Sequence, residues 1–587
     1  MAFAPIERQS MDTGSNYNFV DKIQKPNAPR SAFDLSHLVT TTIDNGGIVF
    51  PISWFETLPT DDFDISVRSL LRCLPQVVPM YSRQRLYIYA FYSRLGDLWS
   101  GFDPFIRKGY TGNYISQVPT LNSNNLTDSS SAVVKAGSPL DYFGIPQGLQ
   151  FDSFFGKVSA LPYMMYFRIW RDYFCNKNFY TEDRVLFPHD DARFRLNDDG
   201  KLESAVDAGV HFYFYGDAWR DFVHGGTDAR FSGFHHDYPQ DYFTSALPWP
   251  QRGDAPTLSV GSLTDLHVSS VDPLFNVDNF VFYAGTNSYM FNSAPTVSLG
   301  AVTLYGTPTS SAASNANTGF ATWLRSASFD GSVSSSSITL DAIRQLAISQ
   351  RELEKMARTD GSFAEFGLTF FGESSKNAID YRPVYIGGTY TGISFTEVLQ
   401  TSATTDSSAL GQYAGHGIAA DNEGYIGHCH CDDYGIIMIL GCIMPDVYYS
   451  QGIDRKWTRL DQSQFFLPER ARLGMQPIYN KELYFSGNAT QDDGLWAYQD
   501  RCDEYRYMAN RISGKIADKD AESFNPYTQS RIFDELPNYG QVFSRASDVR
   551  KDYLAAPSEV AYTAQFSLDI RAVRPLPYRA MPAEVIN

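Results

Sequence analysis

Two strand-like runs with apolar side chains on both faces constrain this fold most. Residues 85–94 are RLYIYAFYSR and residues 435–444 are GIIMILGCIM, so apolar side chains occupy odd and even positions alike. Successive side chains of a strand point to opposite faces, and a strand that is apolar on both faces is covered on both. These runs therefore predict inner strands of a sheet with a packed layer on each side.

Several local signals surround these strands. Residues 44–47 (DNGG) lie between two β-rich runs and predict a hairpin, because Asn-Gly suits the tight turns that join antiparallel strands. Residues 241–253 (DYFTSALPWPQRG) predict an ordered elbow, since each proline fixes its own φ and extends the residue before it. Residues 159–174 and 343–356 show helical spacing, and Thr339 suits the N-cap of the second helix.

The composition indicates an ordered protein with apolar surface available for partners. The 587 residues are 43% hydrophobic, 15% aromatic and only 19% charged, below the roughly 25% charged residues of typical domains. Buried interface centres favour aromatic residues and are depleted of charge. An ordinary aromatic core in a large β-rich protein explains part of the same excess.

The net charge of −18 bears on nucleic-acid binding. A protein that neutralises DNA phosphates is expected to be basic, at least locally. A chain this acidic that encloses a genome needs a local basic patch or a separate basic protein.

The chain shows no signal for secretion or for a membrane span. Its six cysteines are far too sparse for a disulfide scaffold, which fits a reducing compartment. The N-terminus MAFAPIERQS lacks an apolar signal segment, and the longest apolar run is about half of the roughly 20 residues that a spanning helix needs. We expect a soluble protein that is made in a cytoplasm and does not insert into membranes.

The candidate metal sites are all better interpreted as ordinary structure. In residues 428–431 (HCHC) the strand period puts the histidines on one face and the cysteines on the other, which leaves two ligands per face. Residues 235–237 (HHD) lack a third partner at useful spacing. Residues 197–203 and 492–494 contain Asp-Gly turns with only part of a calcium-loop pattern. We expect no metal and no cofactor, with zinc or calcium as the weaker alternative.

Catalytic motifs are also missing from the sequence. There is no GxSxG, no P-loop, no HExxH and no GxGxxG after a strand. Carboxylate pairs such as Asp61-Asp62 and Asp432-Asp433 are too common in an acidic chain to indicate an acid/base pair. We expect that the protein is not an enzyme.

Residues 254–338 form an unusual insertion. They contain no lysine, no glutamate and a single arginine, Arg325, among many Ser, Thr, Gly and Asn residues. Short β-like runs at residues 280–283 and 302–305 favour a small exposed β-excursion, with a flexible linker as the alternative.

Six blocks in one order resemble the major capsid proteins of the Microviridae, the coat proteins of small single-stranded-DNA bacteriophages. The resemblance covers nearly the whole chain except the first thirty residues and the insertion. The blocks are DYFTSALPWPQRG (241–253), IRQLAISQRELEKMARTDG (343–361), RPVYIGG (382–388), YYSQGIDRKWTR (448–459), YQDRCDEYRYMANRISG (498–514) and VRPLPYRAMP (573–582).

The resemblance implies a mainly β fold, an eight-stranded viral jelly-roll β-sandwich with long inter-strand insertions and a few helices. It implies a virion coat protein, assembled in the host bacterial cytoplasm into a T = 1 icosahedral shell around circular single-stranded DNA. The implied partners are copies of the chain, a small basic internal DNA-binding protein, a DNA pilot or minor capsid protein, the genome, and a host cell-surface receptor, with a glycan among the candidates.

On this basis we expect four segments, of which the insertion is the candidate for the protrusions that one branch of the family carries. The segments are an extended N-terminal arm (1–34), the first part of the jelly roll with a helical insertion (35–253), the low-charge surface insertion (254–338), and the second part of the jelly roll with a C-terminal arm (339–587).

Six basic residues near the two ends of the chain are candidates to face DNA. Arginines beside aromatic residues can contact phosphates while the rings stack on bases. Solvated or interface arginines are the alternative interpretation. The candidates are Lys22, Lys25, Arg30, Arg571, Arg574 and Arg579.

A second class of function is a soluble β-rich glycan-binding or glycan-hydrolysing protein. Its aromatic residues would form sugar platforms, with two facing carboxylates in a cleft. Oligomeric size separates the two hypotheses, because a glycan enzyme has no need of a megadalton assembly.

Overall fold

The structure is a computed structural model, and it describes the chain in separate stretches. These are residues 29–78, 80–99, 101–108, 118, 134, 136–150, 157–174, 176–179, 234–257, 263–269, 281–284, 287–290, 297–298, 301–302, 328–333, 339–359, 363–373, 382–399, 413–420, 424–469, 474–518, 524–547 and 549–579.

Strands dominate the described residues. They are β1 (Ser31–Asp34), β2 (His37–Ile43), β3 (Phe50–Thr57), β4 (Asp61–Cys73), β5 (Gln84–Arg94), β6 (Leu263–Ser269), β7 (Val281–Ala284), β8 (Asn287–Met290), β9 (Val297–Ser298), β10 (Ala301–Val302), β11 (Ser328–Val333), β12 (Val384–Leu399), β13 (Tyr413–Ala420), β14 (Tyr425–Cys431), β15 (Gly435–Pro445), β16 (Tyr448–Tyr449), β17 (Met475–Tyr479), β18 (Leu495–Asp500), β19 (Ser530–Arg531) and β20 (Tyr562–Arg574).

The helices are few and mostly short. They are α1 (Leu95–Leu98), α2 (Phe102–Arg107), α3 (Pro139–Tyr142), α4 (Leu161–Ile169), α5 (Leu340–Ala357), α6 (Phe363–Phe371), α7 (Asn480–Leu483), α8 (Ala489–Asp492) and α9 (Gln541–Ser544), and α4 continues as a π-helical turn over Trp170–Phe174. In the described stretches, no helix combines the length and apolar character that a bilayer crossing requires.

Ten strands form one antiparallel sheet. Eight follow one another in the order β1–β20–β4–β13–β12–β5–β15–β3, while β2 pairs with β20 and β14 with β4. Neighbours in this order are often far apart in sequence, as when β20 lies beside β4. The predicted mainly β jelly-roll architecture, with strands joined by long insertions, is confirmed.

The sheet curls so that its two ends face each other. Phe50 of β3, at one end of the order, packs on Phe566 of β20 near the other end, with ring centroids 6.1 Å apart. Phe55 of β3 packs on Phe63 of β4 at 5.1 Å. Side chains from both halves therefore share one buried core, as in a sandwich.

Strands β5 and β15 lie in the middle of the fold, as their two-sided apolar pattern predicts. They pair along their full length, and β15 is buried at every position. Ile437 and Ile439 of β15 point into the sandwich core. Met438 and Leu440 point the other way, into a second core that α4 covers with an almost wholly buried helix. The predicted helix at residues 159–174 is this covering layer.

The hairpin predicted around residues 44–47 is wrong in its pairing, although both strands exist. Strand β2 pairs with β20, and β3 pairs with β15, so the chain crosses from one half of the sheet to the other. The turn signal marks a sharp corner. Gly47 has a φ of +66°, and a Cβ atom there would lie 2.5 Å from the Cβ of Ala546. The segment around Ala546 packs against this corner, and no sequence pattern near residues 44–47 indicates that contact.

The elbow after residue 241 is ordered, as predicted, and belongs to a third apolar cluster. The Asp241 carboxylate accepts hydrogen bonds from the backbone N–H groups of Phe243 (2.8 Å) and Thr244 (2.7 Å). Leu247 and Tyr498 exchange two backbone hydrogen bonds of 2.7 and 2.8 Å. The elbow is thereby joined to strand β18.

Residues Gln251–Arg358 form a second compact unit. Within it, β6 pairs with β11, β7 with β8 and β9 with β10, so the insertion has β-structure of its own. Thr339 caps α5 as predicted, because its side chain accepts a hydrogen bond from the Ala342 N–H at 3.2 Å. The Arg252 N–H donates to the Leu353 carbonyl at 3.2 Å, which fastens the start of the unit to its helix.

Candidate assembly and nucleic-acid surfaces

The structure places Arg571 and Arg574 in strand β20, inside the main sheet and not in a tail. They are three positions apart, so their side chains leave opposite faces of the strand. The two arginines therefore do not form one basic patch.

Arg574 closes the end of the core. Its Nε and Nη2 atoms both lie 2.9 Å from Oδ2 of Asp61, a fully buried carboxylate, and its guanidinium stacks 5.6 Å above the Phe63 ring. A buried charge needs such a partner to offset its desolvation. Arg574 therefore compensates the Asp61 charge and stabilises the fold.

Arg571 is 79% exposed but stands among carboxylates. Asp34 and Asp64 are its cross-strand neighbours on either side, and the Asp569 carboxylate lies 4.0 Å from its Nε. These anions would compete with a phosphate for the guanidinium.

The other DNA-facing candidates are distributed differently. Arg30 donates to the Thr60 carbonyl, and its Nη2 atom lies 2.7 Å from Oδ2 of Asp62, so it already has a carboxylate partner. Arg579 is exposed at the end of the described chain. Lys22 and Lys25 lie outside the described residues. The assignment of these six residues to DNA stays a prediction.

The His-Cys strand has the two faces that its sequence predicts. Cys429 and Cys431 are buried, with their Sγ atoms 3.9 Å apart. His428 and His430 are exposed and bind carboxylates of the neighbouring β4, at 3.0 Å to Asp64 and 2.6 Å to Asp62. The hydrogen bond from His430 lowers the pKa of Asp62, and Arg30 adds to the effect.

His236 and Asp237 lie in a crowded junction between the elbow and the end of the π-helical turn. The Asp237 N–H donates to the Phe174 carbonyl at 2.9 Å, and the Asp237 carboxylate accepts from the Asn176 N–H at 2.5 Å. Burial raises the pKa of Asp237 to about 7 and lowers the pKa of His236 to about 4. Burial thus disfavours the charged form of both groups, and each has a structural hydrogen bond.

The predicted turn at residues 492–494 is confirmed. The Asp492 carboxylate accepts hydrogen bonds from the Ser486 N–H (2.9 Å), the Ser486 hydroxyl (2.8 Å) and the Gly487 N–H (3.0 Å). Its oxygens thus bind protein donors. Residues 197–203 lie outside the described residues. Among the residues that the structure does describe, His, Cys, Asp and Glu form no group of three or more suited to a metal ion.

One surface, on two loops that meet, exposes six large apolar side chains. We call it the aromatic loop surface, and it comprises Trp457, Leu460, Phe465, Phe466, Tyr505 and Met508. Leu460 is 92% exposed and Met508 86%. The two loops that carry these residues meet where the rings of Phe466 and Tyr505 lie 6.2 Å apart. Exposed apolar residues grouped on adjoining loops mark sites of protein association.

A buried ionic network holds the base of this surface. Glu482 accepts a hydrogen bond from the Tyr242 hydroxyl at 2.7 Å and pairs with Arg455 at 3.5 Å. Burial raises the pKa of Glu482, and the nearby Arg455 opposes the shift. Arg455 also donates to the Pro477 carbonyl at 2.8 Å. The start of the loop is therefore tied to the elbow and to β17.

A second ion pair supports the exposed rings directly. Arg459 lies 2.7 Å from the Glu504 carboxylate, and its guanidinium stacks 4.3 Å above the Tyr505 ring. Gln476 donates to the same carboxylate at 2.8 Å. The surface is thus preformed, which reduces the ordering cost of binding a partner.

Three of the six sequence blocks meet at this base. Tyr449 of the fourth block donates to the Asp241 carboxylate of the first at 2.9 Å, and Leu247 pairs with Tyr498 of the fifth. Gly452 leaves no room for a side chain, since a Cβ atom there would lie 1.9 Å from the Glu482 carbonyl oxygen. The blocks are distant in sequence and form one structural support.

Sequence reasoning missed the aromatic loop surface. Its residues lie in irregular loops with short 3₁₀ turns at Arg455–Trp457 and Gln462–Gln464, where no strand or helix period applies. The available signal was Phe465-Phe466-Leu467, an apolar triplet followed by Pro-Glu-Arg in a polar segment. An apolar triplet in a loop indicates either an exposed interface segment or a segment buried in the core. Only the three-dimensional structure distinguishes these two cases.

Comparison with known proteins gives one consistent family. A family model described as "Capsid protein (F protein)" matches residues 21–583. Capsid protein VP1 of Bdellovibrio phage phiMH2K is 27% identical, over 98% of this chain and 99% of its own length. Capsid protein VP1 of Chlamydia phage 1 is 24% identical and that of Spiroplasma virus 4 is 22% identical, each over 94% of this chain and 95% of the relative.

Proposed function

This chain belongs to the capsid F-protein family, and from that premise we propose that its copies close into a T = 1 icosahedral shell around a circular single-stranded DNA genome. The family is one of structural coat proteins, so the chain is a capsid protein of the Microviridae type and its place is the virion. We propose further that it performs no catalysis.

The aromatic loop surface is the observation that supports self-association best. It presents large, exposed apolar side chains on loops held by buried ion pairs. A closed shell repeats each contact around its symmetry axes, so modest individual contacts add up to a stable particle.

Replacing Leu460 by aspartate is expected to abolish particles while the chain still folds. A carboxylate left unpaired in a desolvated contact costs about 2–5 kcal/mol, and the shell repeats that contact in every subunit. Sedimentation of the expressed protein measures particles, and circular dichroism checks folding. Leu38→Asp is the matched control, because Leu38 is also exposed, on strand β2. Full-sized particles from Leu460→Asp would remove this surface from the assembly contacts.

The acidic balance supports a separate basic partner. The net charge is −18, and Arg30 and Arg574 are committed to carboxylates within the chain. We propose that a small basic internal protein supplies most of the countercharge for the genome, and that a DNA pilot or minor capsid protein completes the particle.

The insertion at residues 254–338 is proposed to be the part that meets a host cell-surface receptor, with a glycan among the candidates. It lies in a compact unit with its own strand pairs, so a change there has little reason to disturb the main sheet.

Deleting residues 254–338 is expected to spare assembly and reduce attachment to host cells. Helix α5 separates Thr339 from Leu353 by about 20 Å at 1.5 Å per residue, and Leu353 is bonded to Arg252. A Gly/Ser linker of about twelve residues spans that gap. Particle yield and adsorption to cells are the two readouts. Loss of particles would make the insertion an assembly contact instead.

Negative-stain electron microscopy of the expressed protein tests the function as a whole. Uniform small icosahedral shells are the expected result. Monomers or dimers that remain after the other phage proteins are added would contradict the proposal and favour the glycan-binding alternative.

A further inference from the structure

A stripe of basic and aromatic side chains runs along the outward face where the chain enters β5. The sequence YSRQRLY spans residues 81–87, and Ser82, Gln84 and Leu86 are buried. The alternate positions, which are tyrosine, arginine, arginine and tyrosine, therefore face outward. Tyr81 and Arg83 are exposed, and Arg85 and Tyr87 are partly exposed.

Stacked rings extend the stripe beyond Tyr81. The Tyr81 ring stacks on Tyr527 with centroids 6.1 Å apart and an interplanar angle of 13°. Tyr527 stacks on Phe524 at 5.7 Å and 26°. The Lys515 ammonium lies 5.8 Å from the Phe524 ring centroid. Lys515 therefore adds a third cation, besides Arg83 and Arg85, at the Tyr527 end of the stripe.

At the other end the stripe passes onto β12. Tyr390 is the cross-strand neighbour of Tyr87, and their rings lie 6.1 Å apart. Gly392 is the neighbour of Arg85, and a Cβ atom there would meet nothing within 4 Å. A side chain at position 392 would stand beside the guanidinium, so the glycine leaves the space next to Arg85 open. Tyr390 is itself 66% exposed.

The charge along the stripe is positive in an acidic chain. Arg85 pairs with the Asp446 carboxylate at 3.4 Å, and its side chain stays 35% exposed. Arg83 and Lys515 add two further cations to the stripe. The Arg85 guanidinium also lies 3.5 Å from the Tyr87 hydroxyl, which keeps the cation beside a ring. Cations interleaved with exposed rings such as Tyr81 and Tyr390 suit single-stranded nucleic acid, because cations contact phosphates and every base can stack.

We propose that this stripe, from Lys515 and Phe524 through Tyr81, Arg83, Arg85 and Tyr87 to Tyr390, binds single-stranded DNA. Residues 81–87 alone span about 20 Å at the rise of a strand, which accommodates a short stretch of an extended strand. The inference rests on the proposed function, since it names the part of the shell protein that contacts the genome. Among the chain-end candidates that the structure describes, Arg30, Arg571 and Arg574 pair with carboxylates or stand beside them.

The aromatic part of the proposal is tested with the full-length unassembled chain and a fluorescently labelled oligothymidylate. Tyr390→Ala is expected to weaken binding about ten-fold, which is the loss of one stacked base. Tyr390→Phe keeps the ring and is expected to bind like the wild type. Tyr425→Ala is the matched control, because Tyr425 is also exposed, at 61%, on β14. Equal binding by Tyr390→Ala and Tyr425→Ala would overturn the stacking role.

The basic part is tested by the salt dependence of the same binding. Each phosphate contact on a single strand contributes about 0.7 to the slope of log affinity against log salt. The double variant Arg83→Gln/Arg85→Gln is expected to reduce that slope by about 1.4. Arg94→Gln is the control, because Arg94 lies at the opposite end of the same strand, away from the stripe, and bonds Asp432 at 3.1 and 2.5 Å. An unchanged slope, or an equal change in the control, would overturn the phosphate contacts.

Particle formation by the same variants distinguishes this inference from the proposed function. Shells of normal size combined with weaker oligonucleotide binding support the stripe. Lost shells with unchanged oligonucleotide binding would overturn the stripe and make it a contact between copies. Absence of shells from the wild-type chain with the other phage proteins would instead contradict the proposed function.

Discussion

Replacing Arg168 by leucine is expected to destabilise the native chain by about 3 kcal/mol. Arg168 and Asp172 lie on α4 and the turn that follows it, and their side chains are only 4% and 3% exposed. The Arg168 Nε atom is 3.6 Å from the Asp172 carboxylate, and its Nη1 donates to the Asp97 carbonyl at 2.7 Å. The leucine variant leaves the Asp172 charge buried with less compensation.

The size of this effect depends on burial, and the chain offers a matched control. Arg171 contacts the same Asp172 carboxylate at 3.0 Å but is 27% exposed. Arg171→Leu is expected to cost less than about 1 kcal/mol, as partly exposed ion pairs do. Urea unfolding of the unassembled chain, followed by tryptophan fluorescence, measures both.

The double variant Arg168→Leu/Asp172→Leu separates the pair from the rest of the helix. Apolar replacement of a whole buried ion pair is often nearly neutral. We expect this variant to regain most of the stability that Arg168→Leu loses. No recovery would mean that the Arg168 contact with Asp97, and not the ion pair, carries the effect.

Replacing Asp237 by asparagine is expected to stabilise the chain at pH 8 and to change little near pH 4. The native pKa of Asp237 is raised to about 7 by burial, against about 3.9 in the unfolded chain. Between these values the native state holds a proton that the unfolded state releases, so stability falls as the pH rises. Asparagine removes that loss and keeps an oxygen for the Asn176 N–H.

We expect a gain of roughly 2 kcal/mol at pH 8, about half of what the full shift corresponds to, since part of the side chain reaches solvent. His236 works in the opposite direction. Its native pKa is about 4 against about 6.5 in the unfolded chain. The stability that neutral His236 contributes is therefore lost as the pH falls from about 6.5 to about 4. Asp237→Asn should therefore leave a variant whose stability rises from pH 4 to about 6.5.

Urea midpoints at several pH values from 4 to 8 measure these slopes. Asp64→Asn is the control, because Asp64 is 60% exposed on β4. A variant that follows the wild-type pH profile would show that Asp237 is ionised in the native chain.

Several structural features were predicted correctly from the sequence. The two-sided apolar pattern identified β5 and β15 as inner strands, and helical spacing identified α4 and α5 within a few residues. The faces of His428 and Cys429 followed from the strand period. These features depend on residues that are close in sequence, so the periodicity of the sequence is enough to predict them.

The pairing of strands that are distant in sequence could not be predicted from local sequence patterns. The Asn-Gly turn predicted a hairpin, but β2 found its partner in β20, more than five hundred residues away. The spacing of Arg571 and Arg574 already implied opposite faces, yet that inference needed the knowledge that the segment is a strand. The outward stripe at residues 81–87 was not recognised from the sequence, because its exposure depends in part on Gly392 across the sheet.

The sequence by itself determined the elements with strong periods, the acidic balance and, through six ordered blocks, the capsid family. Only the tertiary structure decided which cations are available to a ligand and which apolar residues remain exposed. The reason is physical: period depends on residues a few positions apart, whereas exposure and ion pairing depend on what the distant chain brings alongside. Asp61 neutralises Arg574 across 513 residues of sequence, and no local pattern contains that contact.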